Sequence, residues 1–110
     1  MKINFKNLEE TILPQFKGGE GCYIKKHYSD DKVQIMLGRL DPGNSIGLHR
    51  HELNSEVMYI ISGTATYVYE GEEEIVLPGE VHYCPMGKEH TLMNKGNEPL
   101  LLFAVVAEHH

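Results

Sequence analysis

Apolar residues in this chain come in short runs cut by Gly, Pro and Asp/Asn turn formers, and no window sustains the 3.6-residue period of an amphipathic helix. Residues 22–28 and 33–40 read as strands separated by Ser29-Asp30-Asp31. Asp41-Pro42-Gly43-Asn44 follows, with Pro and Gly at the two central positions of a type II turn. Next come a strand carrying His49 and His51, an apolar strand at 57–61 that ends on Ser62-Gly63, and a strand over 64–70 rich in β-branched and aromatic residues. Glu70-Gly71-Glu72 turns the chain into 74–77, and Pro78-Gly79 turns it again. Two short strands, 80–84 and 90–94, flank Pro85-Met86-Gly87. The final run, 100–106, has no polar alternation and is predicted to be covered on both faces.

About nine short strands between Gly/Pro turns predict an all-β sandwich or barrel. Residues 1–20 read as an N-terminal arm. In it Asn7 caps one helical turn over 8–10, and Pro14 ends that segment. Gly18-Gly19-Glu20-Gly21 is a turn; lacking a following Lys-Ser/Thr and helix, its glycines do not make a phosphate loop. A chain of 110 residues accommodates one domain, 1–110.

Chemistry concentrates in residues 43–63, GNSIGLHRHELNSEVMYIISG. His49 and His51 are two apart, so on a strand their imidazoles leave by one face. Glu56 opens the next strand and falls beside them if the strands pair, giving three donors suited to a divalent transition metal. A second stretch, 79–94, contains His90 close after a Pro-x-Gly turn.

The first stretch resembles the first cupin motif: Gly43, five residues, His49, one, His51, four, Glu56, six, Gly63. The second resembles the second cupin motif: Gly79, five residues, Pro85, one, Gly87, two, His90, three, Asn94. Every signature position is filled. The resemblance implies a cupin double-stranded β-helix, or jelly-roll barrel, holding one metal ion on His49, His51, Glu56 and His90. Three imidazoles and a carboxylate leave an octahedral ion two open positions, and the ligand types fit Fe, Mn, Ni, Zn, Co or Cu.

Strand parity places Gly47, His49 and His51 on one face and Ile46, Leu48 and Arg50 on the other. It also predicts an apolar, thioether-rich pocket wall from Met58, Ile60 and Leu92, with Met36, Met93 and Phe103 as further candidates. His82, Tyr83 and Cys84 are read as packing or surface positions near the barrel mouth. Arg39 would fix a substrate carboxylate if its strand faces it inward.

A net charge of -6 and a pI near 5.6 argue against a nucleic-acid partner and an anionic membrane surface. The longest apolar run has eight residues, far short of the ~20 that span a bilayer. Two cysteines make no disulfide framework, and the N-terminus has no apolar leader, so the expected compartment is the cytoplasm. His109 and His110 are set aside as the start of a tag. Two functional readings stand: a metal-dependent enzyme acting on a small oxygenated molecule, as dioxygenase, decarboxylase or isomerase, or a non-catalytic small-molecule-binding or sensing module. A homodimer is expected because Ile46, Leu48 and the arm offer apolar surface. The resemblance implies the same, since small cupins often pair sheet to sheet.

Overall fold

The computed structural model describes residues 1–109; His110, one of the two histidines set aside above, lies outside the described residues. Ten strands form: β1 Thr11–Pro14, β2 Cys22–Ser29, β3 Val33–Leu40, β4 Ser45–Arg50, β5 Asn54–Ser62, β6 Ala65–Tyr69, β7 Glu72–Val76, β8 Val81–Cys84, β9 Glu89–Met93 and β10 Leu100–Glu108. They make a six-stranded sheet, β1-β2-β3-β10-β5-β8, and a four-stranded sheet, β4-β9-β6-β7, and among the described residues neighbouring strands pair antiparallel. This is the two-sheet β-barrel architecture the strand pattern predicts.

The turn chemistry follows the sequence. Asn44 N–H bonds the Asp41 carbonyl at 3.0 Å, and Gly43 takes φ 84, as a type II turn requires. Between the sheets lies one core of alternating inward residues, including Leu40, Met58, Ile60, Tyr67, Leu92 and Leu102. On β5 the alternation is clean: Glu56, Met58 and Ile60 are buried, while Val57, Tyr59 and Ile61 are exposed.

Three expectations are corrected. The arm's helical turn is a 3-10 turn over Phe5–Asn7, capped by the Asn4 side chain on Lys6 N–H, and not one over 8–10 capped by Asn7. Part of the arm is also a strand, β1, which pairs with β2 from Thr11↔Lys25 to Pro14↔Cys22. Proline is tolerated there because β1 is a sheet edge. The last strand is buried on one face only: Leu100, Leu102, Ala104 and Val106 are buried, whereas Leu101, Phe103 and Val105 are half-buried. Phe103 meets Phe5 of the arm edge to face, at 6.3 Å between ring centres, so it lies outside the barrel interior.

The fourth correction concerns the strand that carries the histidines. Against β9, Ser45 pairs with Met93 and Ile46 with Leu92, but the next pair is His49 with His90. Three steps on β4 match two on β9, which is a β-bulge at Gly47-Leu48. The extra residue reverses parity. Ile46 is therefore buried, on the same side as His49 and His51, while Leu48 and Arg50 remain exposed.

Candidate metal centre

His49 and His90 stand directly opposite each other on the β4–β9 ribbon, and Glu56 reaches in from β5 of the other sheet. Two backbone bonds lock the stretches together: Gly87 N–H to the His51 carbonyl at 2.6 Å and His51 N–H to the Lys88 carbonyl at 3.0 Å. The Pro85-Met86-Gly87 turn makes this possible, with Gly87 at φ 90 and Lys88 N–H on the Pro85 carbonyl at 3.1 Å. Asn94, the last residue of the second motif, is buried and bonds the Leu40 and Glu98 carbonyls at 2.8 Å each, which fixes the far end of β9.

His49, His51, Glu56 and His90 come together with one donor atom each, all within 4.8 Å of one another. His90 Nε2 lies 3.0 Å from His51 Nε2 and 3.2 Å from His49 Nε2, and Glu56 Oε1 is 3.3 Å from His51 Nε2 and 3.4 Å from His90 Nε2. Bonds of about 2.1 Å at right angles place neighbouring donors about 3 Å apart, so these separations fit a first-row transition ion. The outward nitrogens reinforce this. His49 Nδ1 is 2.7 Å from the Gly47 carbonyl and His51 Nδ1 is 2.6 Å from Asn54 Oδ1, both of which only accept. Each ring therefore donates outward and presents its Nε2 lone pair inward. Asn54 Nδ2 in turn donates to the Glu108 carboxylate at 3.2 Å.

Electrostatics follow from burial. Desolvation holds His49 down to about 4, against the opposing bond to Gly47. For Glu56, desolvation pushes upward, but the imidazoles of His51 and His90 outweigh it and hold the carboxyl at about 2. Desolvation also depresses His51, yet its bonds to Glu56 and Asn54 leave it raised overall. The carboxylate is ionised and the half-buried His49 neutral at neutral pH, as metal ligation requires.

His49, His51 and Glu56 of the cluster line a cavity of about 420 Å³. Met36 and Met58 line it, as the sequence predicts, but Ile60, Leu92, Met93 and Phe103 do not. Its other walls are more polar than the strand parity suggests, because Lys17, Lys25, Gln34 and Asn54 also face it. Burial depresses the Lys25 ammonium, against the pull of Glu56. Lys17 is delivered by a left-handed backbone, φ 56, on a turn pressed against the β4 bulge. A Cβ at Gly47 would run into the Lys17 backbone, so the space beside the histidines is filled by the arm. Arg39 does not reach this cavity; it pairs with Glu10 and Asp41, each at 3.2 Å. Arg50 sits at the rim, on Glu89 at 3.5 Å and the Gly87 carbonyl. Lys17 and Lys25 carry no spacing signal, and His82, which touches His90, reads from the sequence as a packing or surface position, so sequence reasoning places none of the three beside the cluster.

The chain belongs to the cupin domain family, whose sequence profile matches residues 36–106. Among its relatives, the oxalate-binding protein of Thermotoga maritima is 35% identical over 112 residues, covering 96% of this chain and 93% of that protein. A crystal structure described as a predicted oxalate decarboxylase from Thermotoga maritima matches with a TM-score of 0.91 at 26% identity, over 98% of this chain and 99% of that one. A sugar phosphate isomerase from the cupin superfamily of Silicibacter pomeroyi matches at TM-score 0.80 and 20% identity, over 98% of this chain and 76% of that one, which shows a shared fold. The chain spans only 16% of the mannose-1-phosphate guanylyltransferase of Escherichia coli, to which it is 29% identical over 75 residues.

Proposed function

We propose that this protein binds a small oxyacid anion of the oxalate type at a divalent transition metal held by His49, His51, Glu56 and His90. The observation that carries the reading is the convergence of three imidazole Nε2 atoms and one carboxylate oxygen, with the outward nitrogens of His49 and His51 already committed. A bound ion supplies Lewis acidity and exchangeable positions for oxygen ligands. The chain supplies the remainder. Lys25 and Lys17 offer ammonium donors to the carboxylate end of the ligand, Met36 and Met58 keep one wall apolar, and Glu52 and Glu108 line the same cavity. The oxalate-binding relative, matched over nearly its whole length, supports this ligand class over a sugar phosphate.

Turnover is the second reading, favoured by those two glutamates, which stand where a carboxylate can take or give a proton. We further assign residues 1–110 to one domain, the compartment to the cytoplasm and the assembly to a homodimer. Both cysteines are free, which suits a reducing compartment. Among the described residues, no helix is long and apolar enough to cross a membrane. For the dimer, the apolar outer face of the six-stranded sheet, Val57, Tyr59, Ile61, Val81 and Tyr83, replaces the buried Ile46 as the candidate surface. Sedimentation at micromolar concentration tests it; a monomer overturns it.

The central test is elemental analysis of tag-free protein with oxalate titration calorimetry. About one ion per chain, lost in His49→Ala and His90→Ala variants that stay folded, and metal-dependent oxalate binding are expected. Full metal content in both variants, or equal oxalate affinity without metal, overturns the proposal. Carbon dioxide release from oxalate separates turnover from binding.

A further inference from the structure

His82 lies on β8, the edge of the six-stranded sheet, and is almost fully buried at 1% exposure. Its Nε2 is 3.0 Å from His90 Nδ1, and its Nδ1 is 2.7 Å from Glu74 Oε1, on the β7 edge of the other sheet. Tyr67 stacks on the His82 ring at 3.7 Å and 14°, and is itself fixed by its hydroxyl on Met58 Sδ at 2.9 Å. The ring is thus contacted at both nitrogens and on one face.

With both rings neutral, one proton arrangement satisfies both contacts. Glu74 is a half-exposed carboxylate and accepts, so the nitrogen facing it carries the hydrogen. Neutral imidazole has one N–H, so His82 Nε2 is left as an acceptor. His90 must then donate from Nδ1, which leaves its Nε2 lone pair aimed at His49, His51 and Glu56. The His51 ring reaches the same state through Asn54 and Glu108, and His49 through the Gly47 carbonyl.

We propose that Glu74 and His82 are positioning residues that fix His90 in the Nδ1–H tautomer before any ion arrives. This rests on the ligand set proposed above, but the tautomer is a property of the metal-free chain. The competing view is that His82 merely ties two sheet edges, a role any well-packed ring would fill. Loss of an outer partner of this kind typically weakens metal affinity about 10- to 100-fold.

The test is long-range ¹H–¹⁵N correlation of the imidazoles in metal-free protein at about pH 8, with metal titration in parallel. Wild type should show His90 protonated at Nδ1. His82→Phe keeps the stacking ring but removes the acceptor; His90 should shift toward the Nε2–H tautomer, and metal affinity should fall about tenfold or more. Glu74→Ala changes a half-exposed side chain and guards against a folding artefact; it should move the same signals. Glu74→Gln retains an acceptor and should restore the wild-type tautomer. An unchanged His90 tautomer in both His82→Phe and Glu74→Ala overturns the inference while leaving the metal centre standing. If the tautomer follows His82 but no variant, wild type included, takes up metal, the inference stands and the metal centre fails.

Discussion

Replacing Gly47 by alanine tests the seam between the arm and the β4 bulge. The added Cβ would stand 2.7 Å from the Lys17 carbonyl carbon and 2.9 Å from that of Gly18, and closer still to the Lys17 oxygen. Relaxed carbon pairs sit at about 3.5–4.0 Å, so the arm's backbone must retreat by roughly an ångström. Overpacking of this kind costs about 1–3 kcal/mol, offset by about 0.5–1 kcal/mol from the lower chain entropy of alanine in the unfolded state. The expected net loss is about 1–2 kcal/mol. That corresponds to a drop in Tm of about 4–8 °C per kcal/mol in a domain of this size. The assay is urea denaturation with limited trypsin digestion, because a displaced arm exposes the bond after Lys17. Gly96→Ala is the control, since its Cβ would meet only the Asn94 side chain, at 3.4 Å. Wild-type stability and unchanged protection at Lys17 in Gly47→Ala would refute the close approach.

Lys25→Met should weaken oxalate binding at least about tenfold with metal content unchanged, because a cation within reach of the carboxylate is worth about 1.5–3 kcal/mol; calorimetry on the loaded protein reads it. Lys17→Gly should weaken oxalate similarly without loss of stability, since glycine adopts φ 56 without the ~1 kcal/mol that lysine pays there; a fall in Tm would count against it. Metal affinity should decline as pH falls from 7 toward 5.5. His51, whose imidazole is raised, takes up a proton before His49, which is held near 4; a flat pH profile argues against histidine ligation. Burial raises the Cys84 thiol to about 11, so its stabilising effect is full below the unfolded value of about 8.5 and is lost as pH rises through 11. Iodoacetamide at pH 8 should label Cys22 and spare Cys84 until the protein unfolds, as peptide mass spectrometry would show.

The residues that form the candidate centre were legible because two gapped motifs write them into the chain at fixed spacing, and the fold brings all four together. The surroundings were not, for separate physical reasons. Alternation assigned Ile46 outward because a bulge leaves no mark in hydrophobicity; it shows only in the register against β9. The strand β1 has four residues ending in proline, too short for a period to register, and exists through its pairing with β2. Lys17 and Lys25 line the cavity by tertiary placement, since an isolated lysine in a sequence carries no direction. His82 looked like one residue of an ordinary strand, and its meaning depends on Glu74 and His90, eight residues away on either side.

The segment that matches the family, residues 36–106, carries every donor of the cluster together with Glu74 and His82. Phe16, Lys17, Tyr23, Lys25 and Gln34, which also line the cavity, all precede it. On the reading proposed above, the four donors and the two lysines that would meet the ligand lie on different stretches of polypeptide, joined where Gly19 and Gly47 let the two backbones touch. Substitutions among the first 35 residues can therefore reshape part of the cavity wall without touching the four donors.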